Sequence, residues 1–224
     1  MLRSLLIGAL AGATLLLSGS AAADAPRGSV SPRGSVSLGT PSKGSLKRGV
    51  KLPKRGRGYR ISRATRDRGF VYGTAELVGV VQRSGARVAR KHKGAVLSVG
   101  NLSRRGGGDI PQSVTHNSGR DADLLFFARD EQGQPITVGF IGFDREGKSS
   151  WKGQTVTFDV PRNWALVSSL VRDSKARVHS ILIARWLKKP LMAHARKIGA
   201  PGWVRKRADG VLHQPRHASA HADH

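Results

Sequence analysis

The 224-residue chain is long enough for one domain with additional segments, and a hydrophobic content of 38% can supply a sizeable core. The absence of cysteine excludes disulfides, thiol nucleophiles, cysteine-ligated zinc and lipidation through cysteine. Thirty-nine lysines and arginines against 14 acidic residues give a net charge of +25, which should attract nucleic acid, anionic lipid headgroups or an acidic cell-wall polymer.

The first 23 residues have the pattern of a secretory signal peptide. Arg3 supplies a positive n-region, residues 5–17 form an apolar h-region, and residues 21–23 are three alanines suited to cleavage. A membrane anchor is the alternative, but the apolar run is shorter than the ~20 residues that a spanning helix needs. We therefore predict export to the periplasm or the medium, without a stable membrane anchor.

Residues 24–58 differ in composition from the rest of the chain. They contain nine basic residues, one acid, two consecutive copies of PRGSVS and few large apolar side chains. Because such a segment buries too little surface to offset its ordering entropy, we predict a flexible basic tether at least as far as Ser42. The alternative, favoured by GTPSKGSL, is that the later part lies across the domain as an ordered arm.

Residues 59–224 are predicted to form the folded domain. A helix capped by Gly73 or Thr74 should end near residues 91–93, ahead of a buried strand at 95–99 and a glycine-rich loop at 100–119. Further strands are predicted at 124–128, 136–143, 155–160 and 177–184, and further helices at 164–172, capped by Asn163, and at 185–198, containing Pro190. Because strands and helices do not alternate regularly, we predict an α+β fold with a small, mostly antiparallel sheet flanked by helices.

Candidates for chemistry lie in SVTHNSGRDADLLFF, residues 113–127. His116 and Asp123 are seven positions apart, and Asp121 shares the face of Asp123 if a strand begins there. A loop imidazole and a strand carboxylate can both bind one zinc ion at about 2 Å. The spacing alone is a weak signal, because a single histidine in a glycine-rich loop is more often a surface residue.

A second cluster is HQPRHASAHADH, residues 213–224, in which every third or fourth residue is a histidine: His213, His217, His221 and His224. On a helix these side chains would share one face, but Pro215 and Gly210 oppose a regular helix. A histidine-rich tail without a fixed shape, which binds metals adventitiously, is the alternative.

Together the two clusters resemble those of the penicillin-insensitive murein endopeptidases, zinc peptidases related to D-Ala-D-Ala carboxypeptidases and lysostaphin-type enzymes. The resemblance extends over residues 38–224 and includes LGTPSKGSL, LSVGNLSRRGGG and GWVRKRADGV. It implies a zinc-peptidase-like domain that binds Zn2+ and hydrolyses D,D-amide cross-links of peptidoglycan.

The resemblance also implies roles for individual residues. His116 and Asp123 match zinc ligands of the family, whereas His221 and His224 match catalytic histidines. The family's third zinc ligand would fall two positions beyond His224, so we expect the given sequence to stop short of it. Truncation, replacement of that ligand by His221 or His224, and a degenerate, inactive relative are the alternatives that stay open.

A different class of function also fits the composition. A non-catalytic exported protein that binds cell wall or another polyanion would explain both the charge and the signal peptide. We expect no nucleic-acid partner, because export opposes it and aromatic residues make up only 5% of the chain and are not interleaved with the basic runs. The oligomeric state is not predicted.

Overall fold

A computed structural model describes residues 13–16, 29–30, 34–111 and 113–214 of the protein. Within these ranges, no helix is both long enough and apolar enough to cross a membrane. Most of the predicted signal peptide, together with His217, His221 and His224, lies outside the described residues.

The described part of the chain combines short strands with five helices. The helices are α1 (Arg63–Arg68), α2 (Ala75–Lys91), α3 (Val160–Val171), α4 (Arg185–Lys197) and α5 (Gly202–Val211). The strands are β1 (Ala13–Leu16), β2 (Ser29–Val30), β3 (Val36–Thr40), β4 (Lys43–Lys47), β5 (Val50–Lys51), β6 (Arg55–Gly56), β7 (Tyr59–Ile61), β8 (Tyr72–Gly73), β9 (Leu97–Val99), β10 (Asp121–Leu124), β11 (Ala128–Arg129), β12 (Pro135–Ile136), β13 (Lys148–Trp151), β14 (Gln154–Phe158), β15 (Ser180–Leu182) and β16 (Leu212–His213).

A seven-stranded sheet has the order β16-β15-β1-β10-β9-β7-β6. Its neighbours are antiparallel except β7 with β9 and β15 with β16. Three smaller sheets have the orders β12-β11-β14-β13, β2-β3-β4 and β5-β8. Helix α3 packs between α2 on one side and α4 and α5 on the other. The predicted α+β fold with a mostly antiparallel sheet is confirmed.

Helix α2 begins and ends where the sequence predicts. Thr74 caps it by accepting a hydrogen bond from the backbone N–H of Leu77, and Glu76 lies in the first turn. Helix α3 begins four residues before its predicted start, because Asp159 is the cap and Pro161 favours the first turn. The predicted cap, Asn163, instead exchanges two hydrogen bonds with the backbone of Phe127 and ties the helix to the chain leaving β10.

The predicted strand at 136–143 is largely wrong, since β12 ends at Ile136 and the next strand begins at Lys148. The apolar residues of this stretch serve core packing from irregular backbone. Phe143 meets Phe126 and Phe158 edge to face, with ring centroids 5.1–6.1 Å apart across the three pairs. Helices α1 and α5 were not predicted.

Residues 34–58, the later part of the arm that precedes the domain, contain strands that contact the domain. Strands β3 and β4 form a hairpin that lies against the glycine-rich loop, where Leu46 N–H donates to the Gly106 carbonyl at 2.9 Å. Leu46 is buried in this contact. The prediction of a flexible tether as far as Ser42 is therefore wrong for residues 34–42. The buried side chain of Leu46 and backbone hydrogen bonds hold the hairpin on the domain.

A buried carboxylate joins α2 to the end of α3. Arg83 donates two hydrogen bonds to Asp173, at 2.7 and 2.8 Å, and Arg87 donates a third at 3.0 Å. Burial by itself raises the pKa of Asp173, but the bonds from Arg83 and Arg87 outweigh it and hold the pKa below its usual value.

We expect Asp173→Asn to lower the free energy of unfolding by about 1–3 kcal/mol at neutral pH. Because the pKa in the folded state is depressed, this contribution is complete above the unfolded-state value near pH 4 and is lost as the pH falls through the folded-state value. Urea unfolding between pH 7 and pH 3 should show the deficit shrinking in acid. Asp67→Asn serves as control, because Asp67 forms an exposed ion pair with Arg63 at 3.8 Å. This variant should change the free energy of unfolding little at any pH. A deficit independent of pH would contradict the prediction.

Candidate functional site

His116 and Asp123 meet inside the protein. The imidazole Nε2 lies 3.3 Å from Oδ1 of the carboxylate, and the two residues are only 1% and 6% exposed. Asp123 is on β10, next to the end of β9, and His116 is on the loop that leads into β10. The predicted convergence of these two side chains is present in the structure.

The backbone around His116 determines how its ring is presented. His116 has a left-handed backbone with φ of 76°, which turns the chain so that the ring faces β10. Its N–H donates to Oδ2 of Asp121 at 2.9 Å, and its carbonyl accepts a hydrogen bond from the Ser103 hydroxyl. The ring Nδ1 lies 3.3 Å from the Asp121 carbonyl, which can only accept. In the neutral ring Nδ1 therefore carries the proton and Nε2 presents its lone pair toward Asp123, whereas in the protonated ring Nε2–H donates to Oδ1 of Asp123.

A chain of buried polar side chains orients Asp123. Its Oδ2 accepts a hydrogen bond from Asn101 Nδ2 at 3.2 Å, and Asn101 Oδ1 accepts one from the Thr65 hydroxyl at 3.3 Å. Ser62, the cap of α1, donates to the Thr65 hydroxyl at 2.9 Å. Because Oδ2 is engaged, Oδ1 is the oxygen that faces His116.

Asp121 supports the loop that carries His116 by accepting a hydrogen bond from its backbone N–H. The turn that follows is held by Asn117, whose side-chain amide donates to Asp109 at 2.6 Å. Burial raises the pKa of Asp121 despite the opposing effect of His116. For His116, burial lowers the pKa, but the hydrogen bond and charge of Asp123 outweigh it, so the net pKa is raised.

The rim of the site is formed by an aromatic ring and a glycine. A Cβ placed on Gly100 would lie 2.7 Å from Asp123 Cβ and 2.6 Å from Phe140 Cζ, so no larger residue fits without displacing one of them. Phe140 is partly exposed, and the guanidinium carbon of Arg68 lies 6.0 Å from its ring centroid. Asp123, Phe140 and Arg68 thus follow one another outward from the buried pair.

The pair has donor atoms suited to zinc. Two ligand atoms at 2.0–2.1 Å from a tetrahedral zinc ion are about 3.3 Å apart, which is the separation of Nε2 and Oδ1. The remaining atoms of both side chains are already hydrogen-bonded, as is usual for metal ligands. Among residues 34–111 and 113–214 no group of three or more His, Cys, Asp or Glu side chains could hold a metal.

The other predicted site residues, His221 and His224, fall outside the described residues. His213 lies on β16, at the far edge of the seven-stranded sheet and three strands from β10. Asn101, Thr65 and Ser103 were not predicted to belong to the site. The position of Asn101, a polar residue just after the apolar strand β9, was the signal in the sequence that could have indicated it.

Comparison with known proteins places the chain among the peptidases. Residues 37–214 match the sequence profile of the penicillin-insensitive murein endopeptidases, and the chain belongs to that family. The predicted family membership is thereby confirmed, and murein is the substrate that the family name specifies. No curated protein matches the sequence.

Replacement of Asp121 tests how the loop is held. In Asp121→Ala the buried N–H of His116 loses its acceptor, so the free energy of unfolding should fall by about 1–3 kcal/mol and the His116 ring resonances should shift in NMR spectra. Asp130→Ala removes a similar acceptor from an exposed turn and should leave the His116 resonances unchanged. Unshifted His116 signals in Asp121→Ala would show that another group positions the ring.

Proposed function

We propose that the protein is a zinc-dependent peptidase that hydrolyses D,D-amide cross-links of peptidoglycan. The observation that carries the proposal is the buried contact between His116 Nε2 and Asp123 Oδ1, whose 3.3 Å separation suits two ligands of one tetrahedral zinc ion. Family membership supports a murein substrate, and a periplasmic or secreted location follows from that substrate.

In this proposal His116 and Asp123 hold the ion. When bound, zinc would supply the Lewis acidity that activates water and polarises the scissile carbonyl. Asp121 and Ser103 hold the imidazole in place, and Asn101 holds the carboxylate.

The roles proposed for the C-terminal histidines rest on the sequence. His224 would take a proton from the attacking water or stabilise the developing oxyanion. His221 would orient the reacting groups or supply a proton. Their placement beside the buried pair is part of the proposal, because both lie outside the described residues.

The test is zinc stoichiometry together with cleavage of cross-linked muropeptides by the full-length protein. We expect one zinc per chain, and a loss of cleavage of at least about 100-fold in His116→Ala and Asp123→Asn, since each variant removes a ligand. His179→Ala serves as matched control, because His179 is exposed and lies on another part of the chain. A protein that cleaves without zinc, or a His116→Ala variant with full activity, would overturn the proposal.

Replacement of Asn101 tests the orientation of Asp123. Asn101→Ala frees Asp123 Oδ2 from its hydrogen bond, so zinc affinity should fall about 10- to 100-fold, measured by competition with a chromogenic chelator. Thr65 is one hydrogen bond further from Asp123 than Asn101 is, so Thr65→Val should lower zinc affinity by a smaller factor. Equal zinc affinity in Asn101→Ala and the wild type would remove Asn101 from the support of the ligand.

A second candidate function, binding to an anionic wall polymer without catalysis, is favoured by a basic groove. Residues 185–214 contain eight lysines and arginines and one acid, Asp209, which Lys188 neutralises at 2.9 Å. Arg185, Lys189 and Arg196 line an open groove of about 790 Å³ between α4 and β16. Sedimentation with purified peptidoglycan, without release of muropeptides and without bound zinc, would favour this function over the peptidase.

A further inference from the structure

Arg68 lies in the last turn of α1 and is linked to the buried pair through the ring of Phe140. The same helix carries Thr65, which connects it to Asp123 through Asn101. The Nε of Arg68 donates to the Ala64 carbonyl at 3.0 Å, so the side chain is directed along its own helix. Its guanidinium carbon lies 6.0 Å from the centroid of the Phe140 ring, and the Cζ edge of that ring faces Asp123 across Gly100.

The charge of Arg68 is not neutralised within the described part of the chain. No carboxylate there lies within 4 Å of its guanidinium, and the adjacent Asp67 faces Arg63 instead. The residue is partly buried, and only its Nε is engaged in a hydrogen bond. The terminal nitrogens are therefore available to a ligand, in a place where the aromatic ring excludes some of the water.

We propose that Arg68 and Phe140 form a subsite that binds a carboxylate of the substrate peptide next to the cleaved bond. The inference rests on the proposed function and extends it to the kind of peptide selected. A guanidinium binds a carboxylate with two parallel hydrogen bonds, and the ring edge offers an apolar wall to the adjoining aliphatic atoms. Peptide stems of the cell wall carry free carboxylates, so the subsite selects stems in which that group is not amidated.

The experiment compares cross-linked muropeptides whose stem carboxylates are free with the same compounds amidated. The zinc-loaded full-length protein should cleave the free form with the lower KM. Arg68→Ala should raise KM for the free form about tenfold with kcat unchanged and leave the amidated form unaffected, because one charge-assisted contact is lost. Arg68→Lys should restore part of the preference. Arg172→Ala is the matched control, since Arg172 also lies over an aromatic ring, that of Trp203 at 5.4 Å, at the end of α3.

The outcomes separate this inference from the function on which it rests. If the wild type cleaves both forms and Arg68→Ala alters neither or both equally, the subsite is refuted and the peptidase stands. If the wild type binds no zinc and cleaves neither form, the proposed function fails. In that case, calorimetry of the binding of the uncleaved peptides still tests the subsite. Tighter binding of the free form by the wild type, with the preference lost in Arg68→Ala, supports the subsite. Equal binding of the two forms refutes it.

Discussion

The buried contact between His116 and Asp123 imposes most of the local structure around it. Two ionisable side chains at 1% and 6% exposure are costly unless their polar atoms are paired. The surrounding chain meets this requirement with the Asp121 carbonyl for Nδ1 and with Asn101 for Oδ2. What remains on each side is one atom that can bind a metal ion, Nε2 of His116 and Oδ1 of Asp123, and these two atoms face each other at 3.3 Å.

The hairpin of β3 and β4 contributes to this arrangement from outside the domain core. Asn117 N–H donates to the Pro41 carbonyl at 2.9 Å, and Arg120 donates to the Gly39 carbonyl at 2.7 Å, so the hairpin holds both flanks of the segment that follows His116. The hairpin approaches the loop closely enough to require glycine, because a Cβ on Gly107 would lie 2.6 Å from the backbone nitrogen of Leu46 and 2.7 Å from Cα of Ser45. The hairpin segment GTPSKGSL, residues 39–46, thus packs directly against the glycine run at residues 106–108.

The sequence predicted those features that depend on local pattern. Helix α2 follows from its cap and apolar spacing, and the meeting of His116 with Asp123 follows from a tight loop between them. It could not predict contacts set by tertiary packing: Asn101 reaches Asp123 across 22 positions, and Thr65 reaches Asn101 across 36. The segment 137–143 has the apolar composition of a strand. It is held by the contacts of Phe143 with other aromatic rings and not by backbone hydrogen bonds to a neighbouring strand of the described chain.

The place of β1 in the sheet links the predicted signal peptide to the site. Strand β1 lies between β10 and β15, in a register that pairs Thr14 with Asp123 and Leu16 with Asp121. It therefore satisfies the backbone of the strand that carries both aspartates. If residues 1–23 are removed during export, as the sequence predicts, that edge of β10 loses its partner. Unpaired N–H and C=O groups inside a sheet are costly, so another extended segment or water must then take that position. Whatever takes it will lie directly beside Asp123, which makes the environment of the proposed ligand dependent on processing of the chain.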